Sequence, residues 1–204
     1  MTPDELRSRW NEAETQTVLD ILTAKTPKYV FTPVRLDDCP GLGLLPDGRW
    51  DLRGLRVPHG LSKKALAGVS FDHGDWGRGG GGGLSVQASN CSFEALELNS
   101  VWGRYENCNF RRIRMSRGWF GEVEFIDCDF SRANLSHVGG GGRFTRCRFD
   151  GANFRGAHTG GIFDSCTLTG ARFGFGSLGR SRFIDTSLDD VDLKDTIMKG
   201  VTFE

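Results

Sequence analysis

Cys128-Asp129-Phe130-Ser131-Arg132-Ala133-Asn134-Leu135 is followed, nineteen residues on, by Cys147-Arg148-Phe149-Asp150-Gly151-Ala152-Asn153-Phe154. The same opening triplet recurs as Cys91-Ser92-Phe93, Cys108-Asn109-Phe110 and Cys166-Thr167-Leu168, and threonine replaces cysteine in Thr186-Ser187-Leu188. The steps are 17, 20, 19, 19 and 20 residues. Weaker members, Val69-Ser70-Phe71 and Trp50-Asp51-Leu52, extend the series upstream at steps of 22 and 19. A fixed period of this length marks a solenoid, whose repeats bury their apolar faces only against their neighbours; about eight coils are expected.

A five-residue period lies inside the longer one. Five residues after each triplet comes a second, as in Ile113-x-Met115, Ala133-x-Leu135, Ala152-x-Phe154, Ala171-x-Phe173 and Val191-x-Leu193, and five before it stands Tyr105, Phe125, Phe144, Phe163 or Phe183. The unit is F-x-x-C-x-F-x-x-A-x-F/L, with the small residue and the large apolar one turned inward and the other three outward. A coil of about twenty residues then has four such sides.

The quoted tandems resemble the pentapeptide-repeat family, over residues 50–204 and most strongly from 104 to 204. That resemblance implies an all-β solenoid, a right-handed quadrilateral parallel β-helix. The fourth side departs from the pattern. Gly118-x-Phe120, Gly140, Thr159, Gly176-x-Leu178 and Thr196-x-Met198 keep the spacing but often lack the central side chain, so this side should be distorted or partly open.

Stacking at the roughly 4.8 Å of paired strands makes residues one period apart cross-strand neighbours, and their charges should be complementary. The register puts Glu124 against Arg143, Asp127 against Arg146, Asp129 against Arg148, Glu94 against Arg111 and Glu97 against Arg114. Exposed pairs of this kind contribute less than about 1 kcal/mol each and serve chiefly against slipped registers. Arg112 and Arg132 are left without partners at the same outward position of adjacent coils, with Arg117 nearby, which makes them candidates for an anionic partner.

Upstream, Thr2-Pro3-Asp4-Glu5 has the form of a capping box with proline at the first helical position. Leu6, Trp10, Ala13, Thr17, Val18, Ile21 and Leu22 then follow at helical spacing, which predicts one amphipathic helix of about six turns, ending near Thr26-Pro27. Residues 27–50 read as a connector whose convincing strand is Tyr29-Val30-Phe31. The chain therefore divides into a helix-and-connector cap, residues 1–49, and a β-helix, residues 50–204.

Composition narrows function. Twenty-six basic against 26 acidic residues give zero net charge, which excludes a binder of nucleic acid driven by bulk charge. No apolar run is long enough to cross a membrane and the first residues do not form a secretory leader, so a cytoplasmic location is expected. Six cysteines without a C-x-x-C pair or histidines at ligand spacing read as buried packing groups, with no metal and no cofactor. The run Arg78-Gly79-Gly80-Gly81-Gly82-Gly83 lacks the lysine and hydroxyl of a phosphate loop and reads as a corner insertion. Asp72-His73-Gly74-Asp75 reads as a turn, and no nucleophile-base set converges, so an enzyme is not expected.

A non-enzymatic protein-binding module is the first functional expectation. Trp102 and Trp119, nine residues after the phenylalanines of their coils, are candidate contact residues on the irregular side unless the N-terminal segment buries them. The motif is similar to the quinolone-resistance and immunity branch of the family. That similarity implies a type II DNA topoisomerase, DNA gyrase or topoisomerase IV, as partner, without direct binding of nucleic acid. The charge departs from that branch's DNA-like surface, since residues 84–204 carry 15 basic and 15 acidic residues. A structural scaffold or end-to-end rod is the alternative, as a monomer or weak dimer, with Asp185, Asp189, Asp190, Asp192 and Asp195 charging the last coil. A carbohydrate-active β-helix enzyme comes last, because the irregular side holds Arg117, His137 and His158 but no row of carboxylates.

Overall fold

The computed structural model describes residues 1–204 apart from Thr26, Lys28, Tyr29, Asp38, Pro40 and residues 77–81. Strands Gly60–Ala67, Gly83–Ser89, Ser100–Glu106, Trp119–Ile126, Arg143–Thr145, Ile162–Asp164, Arg182–Ile184 and Thr202–Phe203 pair in that order, each parallel to the next. The architecture is a parallel β-solenoid of about seven turns behind an N-terminal helical segment. The coil expected at Trp50 pairs with the next through Trp50–Asp51 on Val69–Ser70 and through Arg56 on Asp75, and the cap docks on it.

Two rows of aromatic rings run through the core at the coil spacing. Phe71, Phe93, Phe110, Phe130 and Phe149 stack at centroid distances of 5.8, 4.9, 4.8 and 5.0 Å. Tyr105, Phe125, Phe144, Phe163, Phe183 and Phe203 stack at 5.0, 5.4, 4.9, 5.1 and 5.6 Å. Between the rows the rings meet edge to face, as Phe125 meets Phe130 at 4.9 Å and 90°, an arrangement that aromatic quadrupoles favour. The parallel ladder dictates this order, because it sets each residue directly over its counterpart one coil away.

The small inward position has a polar duty as well as a volume. The thiols of Cys108, Cys128, Cys147 and Cys166 donate to the carbonyls of Ala88, Tyr105, Phe125 and Phe144 at 3.3 to 3.6 Å. Thr186 donates its hydroxyl to Phe163 in the same way at 3.2 Å, which explains why threonine replaces cysteine there. All six cysteines are free and buried, and burial pushes the Cys128 thiol well above its ordinary range.

Most corners place a residue in the left-handed region. Asn90, Asn107, Asp127, Arg146, Ser165 and Asp185 supply one corner on successive coils with φ between 45° and 54°. None is β-branched, as the steric cost of that conformation requires. One corner is missing in the earlier coils. There the fourth side and the next run on as single strands of seven or eight residues, from Gly60–Ala67 to Trp119–Ile126, with bulges at Ser62/Lys64 and Val101/Gly103. Gly103 adopts φ 103°, and a Cβ there would lie 2.1 Å from the Val86 carbonyl oxygen, so the second bulge requires glycine. The last coils recover the corner, with Arg180 at φ 67° and Gly200 at φ 73°. The expected distortion is therefore a lost corner rather than a gap.

The single six-turn helix is not formed. Helix α1, Pro3–Ser8, closes the predicted capping box, and helix α2, Glu12–Thr23, restarts on Asn11, whose side chain accepts from the Glu14 amide. The interruption releases Arg9 and Trp10 toward the first coil. The Trp10 indole donates to the Arg53 carbonyl at 2.8 Å, and Arg9 grips the Asp51 carboxylate at 2.8 and 3.0 Å while Arg53 holds it from the other side at 2.8 and 3.0 Å. The cap also covers the first edge of the sheet, because Thr32–Pro33 pairs with Lys64 and Ala65 and the Lys64 ammonium donates to the Ala24 carbonyl at the end of α2. The connector strand thus begins at Thr32, after the expected Tyr29-Val30-Phe31, of which Tyr29 lies outside the described residues.

Two predictions follow from this packing. Phe130→Ala, stacked in one aromatic row and edge to face with the other, lowers unfolding free energy by about 3–5 kcal/mol in urea titrations, whereas Phe203→Ala, 61% exposed, costs much less. Partial burial raises the Asp51 pKa, but the hydrogen bonds from Arg53 and Arg9 outweigh it and hold the carboxyl at about 2. Its folded pKa lies below its unfolded one, so its contribution is complete above about pH 4 and is lost as pH falls through about 2. Asp51→Asn removes that acid-dependent step, read from Trp10 emission.

Candidate functional site

The interior of the solenoid is packed with side chains. Phenylalanine, leucine, cysteine and alanine fill it, and among the described residues no three histidine, cysteine or acidic side chains converge as metal ligands would. A cleft of about 500 Å³ lies off the solenoid, between α2 and the connector, lined by Trp10, Glu14, Val18, Cys39 and Leu42. The cluster at Asp72 is structural. Its carboxylate accepts from the Ser92 hydroxyl at 2.5 Å and the Glu94 amide at 2.7 Å, and His73 turns the corner at φ 62°. Of the glycine run, Arg78 to Gly81 fall outside the described residues, and Gly83 opens a strand.

The outer surface is a charge ladder. Asp127 and Arg146 meet at 2.8 Å through two hydrogen bonds, which hold the Asp127 carboxyl below its ordinary range, and Arg114 lies 3.4 Å from Glu97. Elsewhere the predicted neighbours align but their side chains choose other partners. Glu124 is the register partner of both Arg104 and Arg143 and bonds to Arg104. Asp129 takes Arg111 at 3.6 Å, and Arg148 takes Asp150 at 3.1 Å.

One expectation is corrected here. Arg112 is not unpartnered, because it lies 3.6 Å from Glu94, which Arg111 leaves free by turning to Asp129. Arg132 keeps its place at the same corner on the next coil, φ 59° against 54°, exposed and without an ion pair among the described residues. Arg117 stands at a different corner, φ 60°, also exposed. The three arginines therefore do not form one site. Asp190 lies on the corner of Arg112 and Arg132, three coils beyond Arg132, and Asp189 accepts from the Ser187 hydroxyl at 2.7 Å.

Trp102 and Trp119 do share a surface. Both stand on the continuous strands of the cornerless side, 38% and 52% exposed, and no described part of the N-terminal segment covers them. Trp76, by contrast, is buried against Phe71, with its indole donating to the Leu55 carbonyl. Each exposed indole lies where a neighbouring side chain would be. A Cβ on Gly121 would fall 1.8 Å from Trp102 Cδ1 and Nε1, and one on Gly83, two coils away from Gly121, 3.0 Å from Trp102 Cζ3. Only a ring lying flat across the sheet reaches both. Trp119 lies likewise over Gly139 and Gly140, at 2.6 and 3.1 Å from their Cβ positions. The signal was present in the sequence as a glycine one period after each tryptophan, Gly121 after Trp102 and Gly139 after Trp119.

Residues 163–204 match the family model described as pentapeptide repeats, in eight copies. The chain carries pentapeptide repeats. The match falls on the last coils, where all four corners are formed, and the long-strand coils upstream lie outside it. A trypsin-treated variant of QnrB1, a plasmid-mediated fluoroquinolone resistance protein, is 12% identical over 73% of this chain and 87% of its own, with a TM-score of 0.52, and shares the pentapeptide-repeat fold. HetL, a pentapeptide-repeat protein involved in heterocyst differentiation regulation in the cyanobacterium Nostoc sp. strain PCC 7120, is 15% identical over 76% of this chain and 90% of its own, at a TM-score of 0.26. None of the curated proteins matches. No helix among the described residues of this pentapeptide-repeat chain is long and apolar enough to cross a membrane.

Gly121→Ala tests the glycine floor. Its methyl group displaces the Trp102 indole, so the emission difference between Gly121→Ala and the parent protein is present with Trp102 and vanishes in a Trp102→Phe background.

Proposed function

We propose that this protein is a non-enzymatic protein-binding module and that its partner is a type II DNA topoisomerase. The observation that carries the first part is the filled interior beside flat, exposed outer faces. A rod closed by stacked phenylalanines presents only sheet surfaces and corners to another molecule, and such broad surfaces suit a protein better than a small substrate. The second part is supported by the Cys-x-Phe-x-x-Ala-x-Leu tandems and by the fold shared with QnrB1, a fluoroquinolone resistance protein.

The ladder of paired charges bears on how such a partner is held. Asp127 with Arg146, Arg104 with Glu124 and Arg182 with Glu204 neutralise one another, so the rod does not present a continuous row of negative charge. Contact then rests on unpaired groups and exposed aromatic faces, the kinds of residue that dominate protein interfaces.

A supercoiling assay with purified gyrase, with and without a fluoroquinolone, tests the reading. The protein is expected to alter supercoiling or to relieve the drug's effect near stoichiometric amounts. Unchanged activity at a large molar excess, with topoisomerase IV as well as gyrase, excludes this partner class.

A further inference from the structure

We infer that the Trp102 face is a cation-recognition site, which takes an arginine or lysine side chain presented by a protein partner. The inference rests on the protein-binding reading above and adds the chemistry of what binds.

The two indoles lie flat on glycine, so each has one face against backbone and the other toward solvent. The face of an indole is the negative pole of its quadrupole, and tryptophan is the best aromatic partner for a cation. The protein satisfies that preference elsewhere with its own arginines: Arg9 stands over Trp10 at 4.9 Å and Arg155 over Phe175 at 5.2 Å. Among the described residues no cation stands over Trp102 or Trp119, although both are exposed.

A carboxylate completes the site. The bulge between Val101 and Gly103 sets two residues of the next coil, Gly121 and Glu122, opposite Trp102. Gly121 makes room for the ring, and Glu122 projects outward beside it, exposed and without an ion pair or hydrogen bond among the described residues. The neighbouring outward positions, Ser85 and Ser100, are neutral, and the nearest cation on the strand, Arg104, is engaged by Glu124 and lies 3.9 Å from Glu106. Arg143 is the next cation along that row, as the register partner of Glu124, and Arg117 stands at the corner ahead of Trp119. The attractive end of the face is therefore at Trp102 and Glu122. A free carboxylate beside an open indole disfavours phosphate and fits a guanidinium or ammonium group, which can stack on the ring while it pairs with the acid.

The test titrates the full-length protein with a short capped oligoarginine peptide, followed by tryptophan emission and calorimetry, with a capped oligoglutamate and a neutral maltooligosaccharide as comparison probes. Oligoarginine is expected to bind and perturb the emission. Glu122→Gln and Trp102→Leu should each weaken it about fivefold or more, and Asp190→Asn, at the acidic last coil, should leave it unchanged. Glu122→Gln alters an exposed, unbonded group, so its urea midpoint should match the parent's and a loss of binding cannot be assigned to unfolding. Binding that ignores Glu122→Gln, no oligoarginine binding, or a preference for oligoglutamate or the saccharide overturns the inference. Because no topoisomerase is present, a silent supercoiling assay leaves this result standing, and the reverse also holds.

Discussion

Parallel pairing of each coil with the next is the constraint on which the rest of the molecule depends. Hydrogen bonds between coils fix their spacing near that of any two β-strands, and they fix the register at the same time. Each residue is then set directly over its own counterpart one coil away. Phenylalanine stacks on phenylalanine at about 5 Å, thiol follows thiol, and asparagine at a corner bonds to asparagine, as Asn107 does to Asn90 at 2.6 Å. The repeat in the sequence is the chemical image of this one geometric rule.

The same rule shows why the solenoid fails to be regular where it does. A four-sided coil turns four corners, and the early coils spend the residues of one corner on a longer strand with a bulge. The long strand is flatter than two sides meeting at an angle, and it turns glycines toward the outer surface. Bulky indoles from the adjacent coils then lie down on those glycines. Lost corner, glycine floor and exposed tryptophans are one feature seen at three levels, and the same face carries Glu122, which has no ion pair among the described residues.

The cap depends on the ladder in a different way. A parallel stack has an open edge that invites further pairing, and here Thr32–Pro33 occupies it while the two short helices cover the coil behind. Proline in that outermost strand cannot donate a further ladder hydrogen bond. The cap is clamped by Asp51, held between Arg9 and Arg53, and by Lys64 on the end of α2, while Val18, Leu22 and Leu36 bury themselves in the solenoid's core.

Much of this was legible in the residues, because a solenoid writes its tertiary contacts at a constant spacing. The period of 19 or 20 residues, the inward cysteines and phenylalanines, and the alignment of Glu124 with Arg143 follow from sequence alone. Tertiary structure decided what the period leaves degenerate. Glu94 and Asp129 each face arginines on more than one coil or position, and only side-chain geometry gave Glu94 to Arg112 and Asp129 to Arg111. The break at Asn11 was likewise invisible to helical spacing, since both halves carry the same apolar stripe and only docking on Asp51 and Arg53 separates them. Whether Trp102 and Trp119 are covered was also open in the sequence. It was settled by where the cap docks and by the flat glycine backbone beneath each ring, which holds one indole face down and leaves the other to solvent.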